Sequence, residues 1–423
     1  MYSKIIFKKI ILTAALVLGS VVFLYAQNNG SFFKDAIKEK RAGFYKQIVN
    51  GINKNLSLPL TAENEEALSS AFYNIALVKY KNAFVNSKID TAAKYINSRG
   101  ADYKKALLNL INSDYPKKYS AYIKPVFKIA GTNPKLMAMA ANYLLPTATA
   151  ADVKMMLQQT LTTLAGEPDN AIYYELSEQL KNHGKKINTA SIKTFFAKNY
   201  LPGQILVFSF QRKDRNYPGL AMVRNVDGNF IKNADSTYFA VGQLARSASN
   251  MPGYITNGNT PQGFFKMNGF DTSNSFFIGP TTNIQLSMPH EYNPYVVNDK
   301  LIDTTWSLQQ YKDLLPDNFK NYHPMYGTFY AGKAGRTEII AHGTTIDTSF
   351  YSNQTYAPYT PSAGCLCTKE IWNSKTGYLQ SSDQLLLTKA IQNAGGPHGY
   401  LIVIEIDDKK AAVTLRDIIS YLK

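Results

Sequence analysis

From Ser31 to about Tyr200, apolar residues recur at helical spacing. The clearest run is Tyr103, Ala106, Leu107, Leu110 and Ile111, at i, i+3, i+4, i+7 and i+8, with Lys104, Lys105 and Asn109 falling opposite. Ser113-Asp-Tyr-Pro116 supplies turn formers and a proline to end that helix. A second helix is expected to start at Thr61, with Glu63, Glu65 and Glu66 placed to favour the dipole. A third is expected at Thr149, with Asp152 three residues on as in a capping box. About seven helices are predicted here. Beyond Pro202-Gly203 the pattern changes to short apolar runs of strand length, at Ile205–Phe208, Tyr238–Val241, Glu338–Ile340 and Tyr400–Ile404, parted by Gly, Asn, Pro and Ser clusters. Thr368–Asn373 and Ser382–Asn393 read as possible helices. The change predicts a linker near Asn199–Gly203 and a second half that folds by itself.

The chain has 423 residues, 45% hydrophobic and 13% aromatic, which suits two or three packed domains and excludes a disordered chain. Two cysteines exclude a disulfide-stapled scaffold. The formal charge of +16 is uneven, with +3 on 1–26, +11 on 27–200 and +2 on 201–423. A basic first half suits a polyanion such as nucleic acid, anionic lipid headgroups or a cell-envelope polymer, or is simply a solvated surface. Residues 1–26 read as a secretory signal. Lys4, Lys8 and Lys9 precede an apolar stretch from Ile10 to Leu24, and composition turns polar after Ala26. Cleavage after Ala26, or retention as an uncleaved anchor, places the protein in the periplasm or cell envelope.

Both cysteines lie in Pro361-Ser-Ala-Gly-Cys-Leu-Cys-Thr368. Such a pair reads as buried small hydrophobes, a metal clip or a nucleophile. Gly364 before Cys365 permits a close backbone approach, with amide N–H groups free to face a substrate oxygen. A nucleophilic thiol needs a base. Of five histidines, His183 and His398 sit in turn-like sequence, whereas His342 ends an apolar strand and precedes Gly343.

The order strand, His342-Gly343, variable loop, Ser362-Ala-Gly-Cys365 resembles the L,D-transpeptidase catalytic domain. Gly258-Asn-Thr-Pro-Gln-Gly-Phe-Phe265 is similar to that family's Thr-Pro-x-Gly-x-Phe segment, matching at Thr260, Pro261 and Gly263. The resemblance covers roughly 203–407. With the signal peptide 1–26 and the all-α domain 27–200 of unassigned role read from the pattern, the chain is expected to be α+β and multidomain, and the resemblance implies that 201–423 is a β-rich catalytic domain.

It further implies an exported cysteine acyltransferase acting on peptidoglycan stem peptides by transpeptidation, or a hydrolase of the same fold that trims stems or releases wall-linked protein, with no cofactor, no metal and no nucleic acid partner. Cys365 would be the nucleophile and His342 the base, with the Gly343 carbonyl orienting its ring. Gly364 and Ser362 would serve the oxyanion and loop position, and Thr260, Pro261 and Gly263 the substrate. Two positions depart from the family. Ala363 stands where it writes His, and Cys367 where it often has Arg or Asn. The long loop after His342 brings Tyr356 and Tyr359, expected to stack on substrate, and Cys367 is a possible redox partner of Cys365. A wall-binding scaffold that keeps the fold without chemistry is the other reading.

Overall fold

The computed structural model describes residues 31–185, 189–291 and 307–422. The expected signal segment lies outside them. No helix among the described residues is long and apolar enough to cross a membrane.

Among the described residues, eight α-helices precede the strands: α1 (Lys38–Leu56), α2 (Glu65–Val78), α3 (Ala83–Lys94), α4 (Ala101–Asp114), α5 (Ser120–Ile129), α6 (Pro134–Leu144), α7 (Ala150–Gly166) and α8 (Ala171–Lys181). The run read from sequence is α4. Its Tyr103, Leu107, Leu110 and Ile111 are buried, and so is Lys104, which the pattern placed outside. Thr149 starts α7 with the expected capping box, its hydroxyl accepting from the Asp152 amide while Asp152 accepts from Thr149. Thr61 does not cap α2. A 3-10 turn at Ala62–Asn64 intervenes, and Thr61 instead accepts from the Asn64 side chain.

Eight strands close into a barrel in the order β1-β10-β4-β5-β6-β7-β3-β2. They are β1 (Leu206–Arg212), β2 (Gly219–Arg224), β3 (Val241–Leu244), β4 (Gly263–Asp271), β5 (Asn283–Ser287), β6 (Ile340–His342), β7 (Leu366–Thr368) and β10 (His398–Asp407). The strands β8 (Glu370–Trp372) and β9 (Leu379–Ser382) form a separate hairpin where a helix was expected from Thr368 to Asn373. The other expected helix is present as α11 (Asp383–Asn393), after α9 (Leu308–Leu314) and α10 (Gly327–Lys333), and α12 (Leu415–Ile419) ends the chain's helices. His398, expected in a turn, opens β10 opposite Asn268.

Side-chain alternation sorts the barrel's faces. Val207, Ala221, Val241, Phe265, Ile284, Ala341, Leu366 and Leu401, one from each strand, share a single buried cluster with Leu387 and Ile391 of α11. That cluster is the barrel interior. On the outer side Leu206, Phe208, Phe210, Phe264 and Ile402 pack under Phe195, Tyr311, Phe319 and Ile418. Ala341 and Leu366 face inward, so their neighbours His342 and Cys367 face outward. These are paired partners in the parallel β6–β7 ladder.

The helical half covers that outward face. Met251, Tyr254 and Ile255 of the barrel half belong to the same buried cluster as Ile75, Leu107 and Met137. Tyr254 donates to Gln179 at 2.6 Å, Asn112 to the Ser249 carbonyl at 3.0 Å, Tyr351 to the Leu77 carbonyl at 2.6 Å and Arg246 to Ser113 at 3.0 Å. Part of the apolar surface of 201–423 is therefore covered by the helices. The boundary also shifts. Ile192 and Phe195, expected in the helical half, are buried in the barrel's outer cluster.

Candidate functional site

His342 is the last residue of β6 and is buried. Its Nδ1 meets the Gly343 carbonyl. A carbonyl only accepts, so this contact puts the ring proton on Nδ1 and leaves Nε2 as a lone-pair base. Burial lowers the imidazole pKa, which keeps the ring neutral. A buried carboxyl supports the turn that follows. Glu370 accepts from the Thr344 amide at 3.0 Å and from the Ser382 hydroxyl at 2.6 Å, while Trp372 Nε1 donates to the Thr344 carbonyl at 2.9 Å. A Cβ at position 343 would fall on the Glu370 carboxyl, so glycine is required there by space. Burial raises the Glu370 pKa to about 7.

Cys365 sits just before β7 and is partly exposed, whereas Cys367 is buried. Gly364 has φ 124°, and a Cβ there would strike the Arg336 guanidinium and the Gly258 carbonyl. Arg336 holds this region together. It is buried and donates to the carbonyls of Gly253, Asn259 (2.6 Å) and Gly258 (2.7 Å). Thr260 Oγ1 donates to the Gly364 carbonyl at 2.8 Å. The upstream motif thus lies directly beneath the cysteine loop. Desolvation raises the Cys365 thiol's pKa, against which the Ile340 amide and the Arg336 charge pull downward. As a thiol it donates to the Glu338 carbonyl at 3.7 Å.

Cys365 and His342 line one cavity of about 320 Å³ between the barrel and the helices. Thr344, Thr360, Pro361, Ser362 and Ala363 form its barrel side, and Phe72, Tyr73, Ala76, Leu77, Ala106 and Leu110 its helical side. Ala363 and Tyr73 are exposed, so the cavity communicates with solvent.

Several expected contacts are not with this cavity. The Gly364 amide donates to Ser362 Oγ at 3.0 Å, and Ser362 Oγ donates to the Cys365 carbonyl at 2.9 Å. Ser362 is thus a brace of the loop, and the Gly364 amide is not free for an oxyanion in this conformation. Tyr356 is fully buried with Arg246 stacked over its ring at 4.7 Å, so it is an interface residue and not a sugar platform. Tyr359 reaches toward Gly242 of β3 and does not line the cavity. Gly263 packs against Tyr311 and Thr328. Thr260 and Pro261 instead line a second cavity of about 420 Å³, shared with Glu175, Glu178, Lys213, Arg215, His323 and Glu405. Cys367 lies next to Thr360 Oγ1 at 3.5 Å.

Arg336, Glu370 and the wall from α2 and α4 were not read from the sequence. Arg336 and Glu370 stand in no motif, and the wall residues carry an ordinary helical core pattern. Among the described residues, no group of three His, Cys, Asp or Glu side chains is placed to hold a metal ion. No family model, curated protein or solved structure matches the chain.

Proposed function

We propose that the protein is an exported cysteine acyltransferase of the L,D-transpeptidase kind, acting on peptidoglycan stem peptides. The observation that supports this reading is that Cys365 and His342 open onto one cavity, with the imidazole Nδ1 engaged by the Gly343 carbonyl. His342 Nε2 takes the thiol proton as sulfur attacks the donor's carbonyl carbon. The C–S bond forms, the amide C–N bond breaks, and the leaving amine takes the proton back from His342. An acceptor amine then resolves the thioester to a cross-link, or water resolves it to a trimmed stem. The basic helical half would rest against anionic envelope polymer or lipid headgroups.

Two observations favour the scaffold reading instead. The thiol's pKa is raised, and the Gly364 amide is already bonded to Ser362. Incubation with a purified disaccharide-tetrapeptide separates the two. An acyl adduct on Cys365, with release of the terminal amino acid, is expected. An unmodified thiol and no release, at any pH from 6 to 9, would leave the scaffold.

A further inference from the structure

The cavity at Cys365 has a composition that restricts what can enter it. Phe72, Leu77, Ala106 and Leu110 supply most of its helical wall, neutral polar side chains such as Asn109, Asn257 and Thr344 interrupt the lining, and no Asp, Glu, Lys or Arg is among its lining residues. An ionised group placed there would lose water without gaining a counter-charge from the lining. An apolar group would exchange water for packed hydrocarbon. The volume, about 320 Å³, stands at the lower end of small-molecule pockets, which run from roughly 300 to 1,000 Å³.

We infer that this cavity is an acyl-side pocket, and that the donor placed on Cys365 presents an uncharged, apolar group between α2, α4 and the cysteine loop. The inference rests on Cys365 being an acyl-accepting nucleophile. It narrows the donor: any charged end of a stem peptide must stay outside, on the solvent side of Ala363. The helical half is then part of the specificity machinery and not only a tether.

The test uses p-nitrophenyl esters from acetate to octanoate, together with the mono-p-nitrophenyl ester of glutarate, on the full-length protein. Sulfur attacks the ester carbonyl, the C–S bond forms, and p-nitrophenolate leaves with the C–O electron pair. Its release gives the rate, and intact mass gives the acyl group on Cys365. Each rate is divided by that of free cysteine with the same ester. The expected result is a rise of roughly fourfold for each methylene that enters the cavity. The glutaryl ester should fall at least about tenfold below the butanoyl ester. Ala106→Phe and Ala363→Phe, which fill the cavity from opposite walls, should each cut the octanoyl-to-acetyl ratio about tenfold or more. The ratio is internal to each variant, so a partial loss of active protein does not disturb it. A flat chain-length profile with Cys365 acetylated, or a glutaryl ester as fast as the butanoyl ester, overturns the pocket and leaves acyl transfer standing. No acylation of Cys365 by any ester overturns both.

Discussion

The two cavities flank one stretch of chain, 252–262, and differ in almost everything else. The one at Cys365 has a largely apolar helical wall and no charged side chain in its lining. The one over Thr260 and Pro261 is charged, but its charges are largely spent on each other, with Arg215 on Glu405 at 2.8 Å and His323 on Glu175 at 2.9 Å. A ligand there competes with existing ion pairs, whereas a ligand at Cys365 meets no charged side chain in the lining. The contrast teaches that what sets the Cys365 cavity apart is a lining without charged side chains. Burial disfavours the charged form of both the Cys365 thiol and the His342 imidazole.

Both cavities take one wall from the helical half, through Leu77 and Leu110 in one and Glu175 and Gln179 in the other. Deleting 31–185 strips both, and also uncovers Met251, Tyr254 and Ile255. The largest expected effect is therefore loss of the soluble fold in a 201–423 fragment, seen as aggregation or a broad, non-cooperative melt. A fragment that melts cooperatively and is acylated at Cys365 would show that the shared core is dispensable.

Next in size is His342→Ala. At pH 7 the thiol would have no base and would be mostly protonated. Acylation by p-nitrophenyl acetate is expected to fall about 10²–10⁴-fold. It should then recover steadily as pH rises toward the thiol's raised pKa. An unchanged rate at pH 7 would break the pairing of the two residues.

Much of this was legible before any coordinates. The period of 3.6 in Tyr103–Ile111 marked α4, and the Thr149–Asp152 spacing marked the start of α7. His342, Cys365 and the Thr260 segment, read from sequence as one constellation, do converge, because β6 and β7 are ladder neighbours and Thr260 donates to the Gly364 carbonyl. What escaped depends on contacts between distant segments. Glu370 is silent in sequence because its partners, Thr344 and Ser382, lie 26 and 12 residues away. Tyr356 was misjudged because an aromatic in a loop has the same local signature whether it faces a ligand or Arg246. The helices forming the cavity wall could be found as helices, but their docking site is a tertiary fact with no periodicity of its own.

Glu370 sharpens the contrast between the cavities, since its bonded neighbours Thr344 and Ser382 are neutral whereas Glu405 has Arg215. Folding raises its pKa from 4.5 to about 7. Between those values the folded state keeps a proton that the unfolded state has lost, so stability falls as pH rises through the window. The contribution, on the order of 3 kcal/mol, is complete above about pH 7. Glu370→Gln cannot ionise. Denaturant unfolding at pH 5 and pH 8 should show the wild type losing stability relative to the variant by that order. Parallel pH profiles would mean that Glu370 ionises freely in the fold and does not hold the Gly343–Thr344 turn as a neutral acid.

The smallest effect is expected at Cys367. It faces the same side of the ladder as His342, but Thr360 covers it and burial pushes its thiol up to about 12. A disulfide with Cys365 would join residues two apart in extended chain, whose Cα atoms lie roughly 6–7 Å apart, at the limit of what the bond spans. Reaching it would also pull the sulfur from under Thr360 and turn Cys365 away from the Ile340 amide. Native protein should therefore show one fast thiol toward an aromatic disulfide reagent and a second only on unfolding. Cys367→Ser should keep the wild-type rate of acylation and the same sensitivity to peroxide, because the serine hydroxyl can take the place of sulfur beside Thr360. A reversible loss of both thiols in native protein, matched by loss of acylation and absent from Cys367→Ser, would show that the dry side of the comparison carries a redox latch.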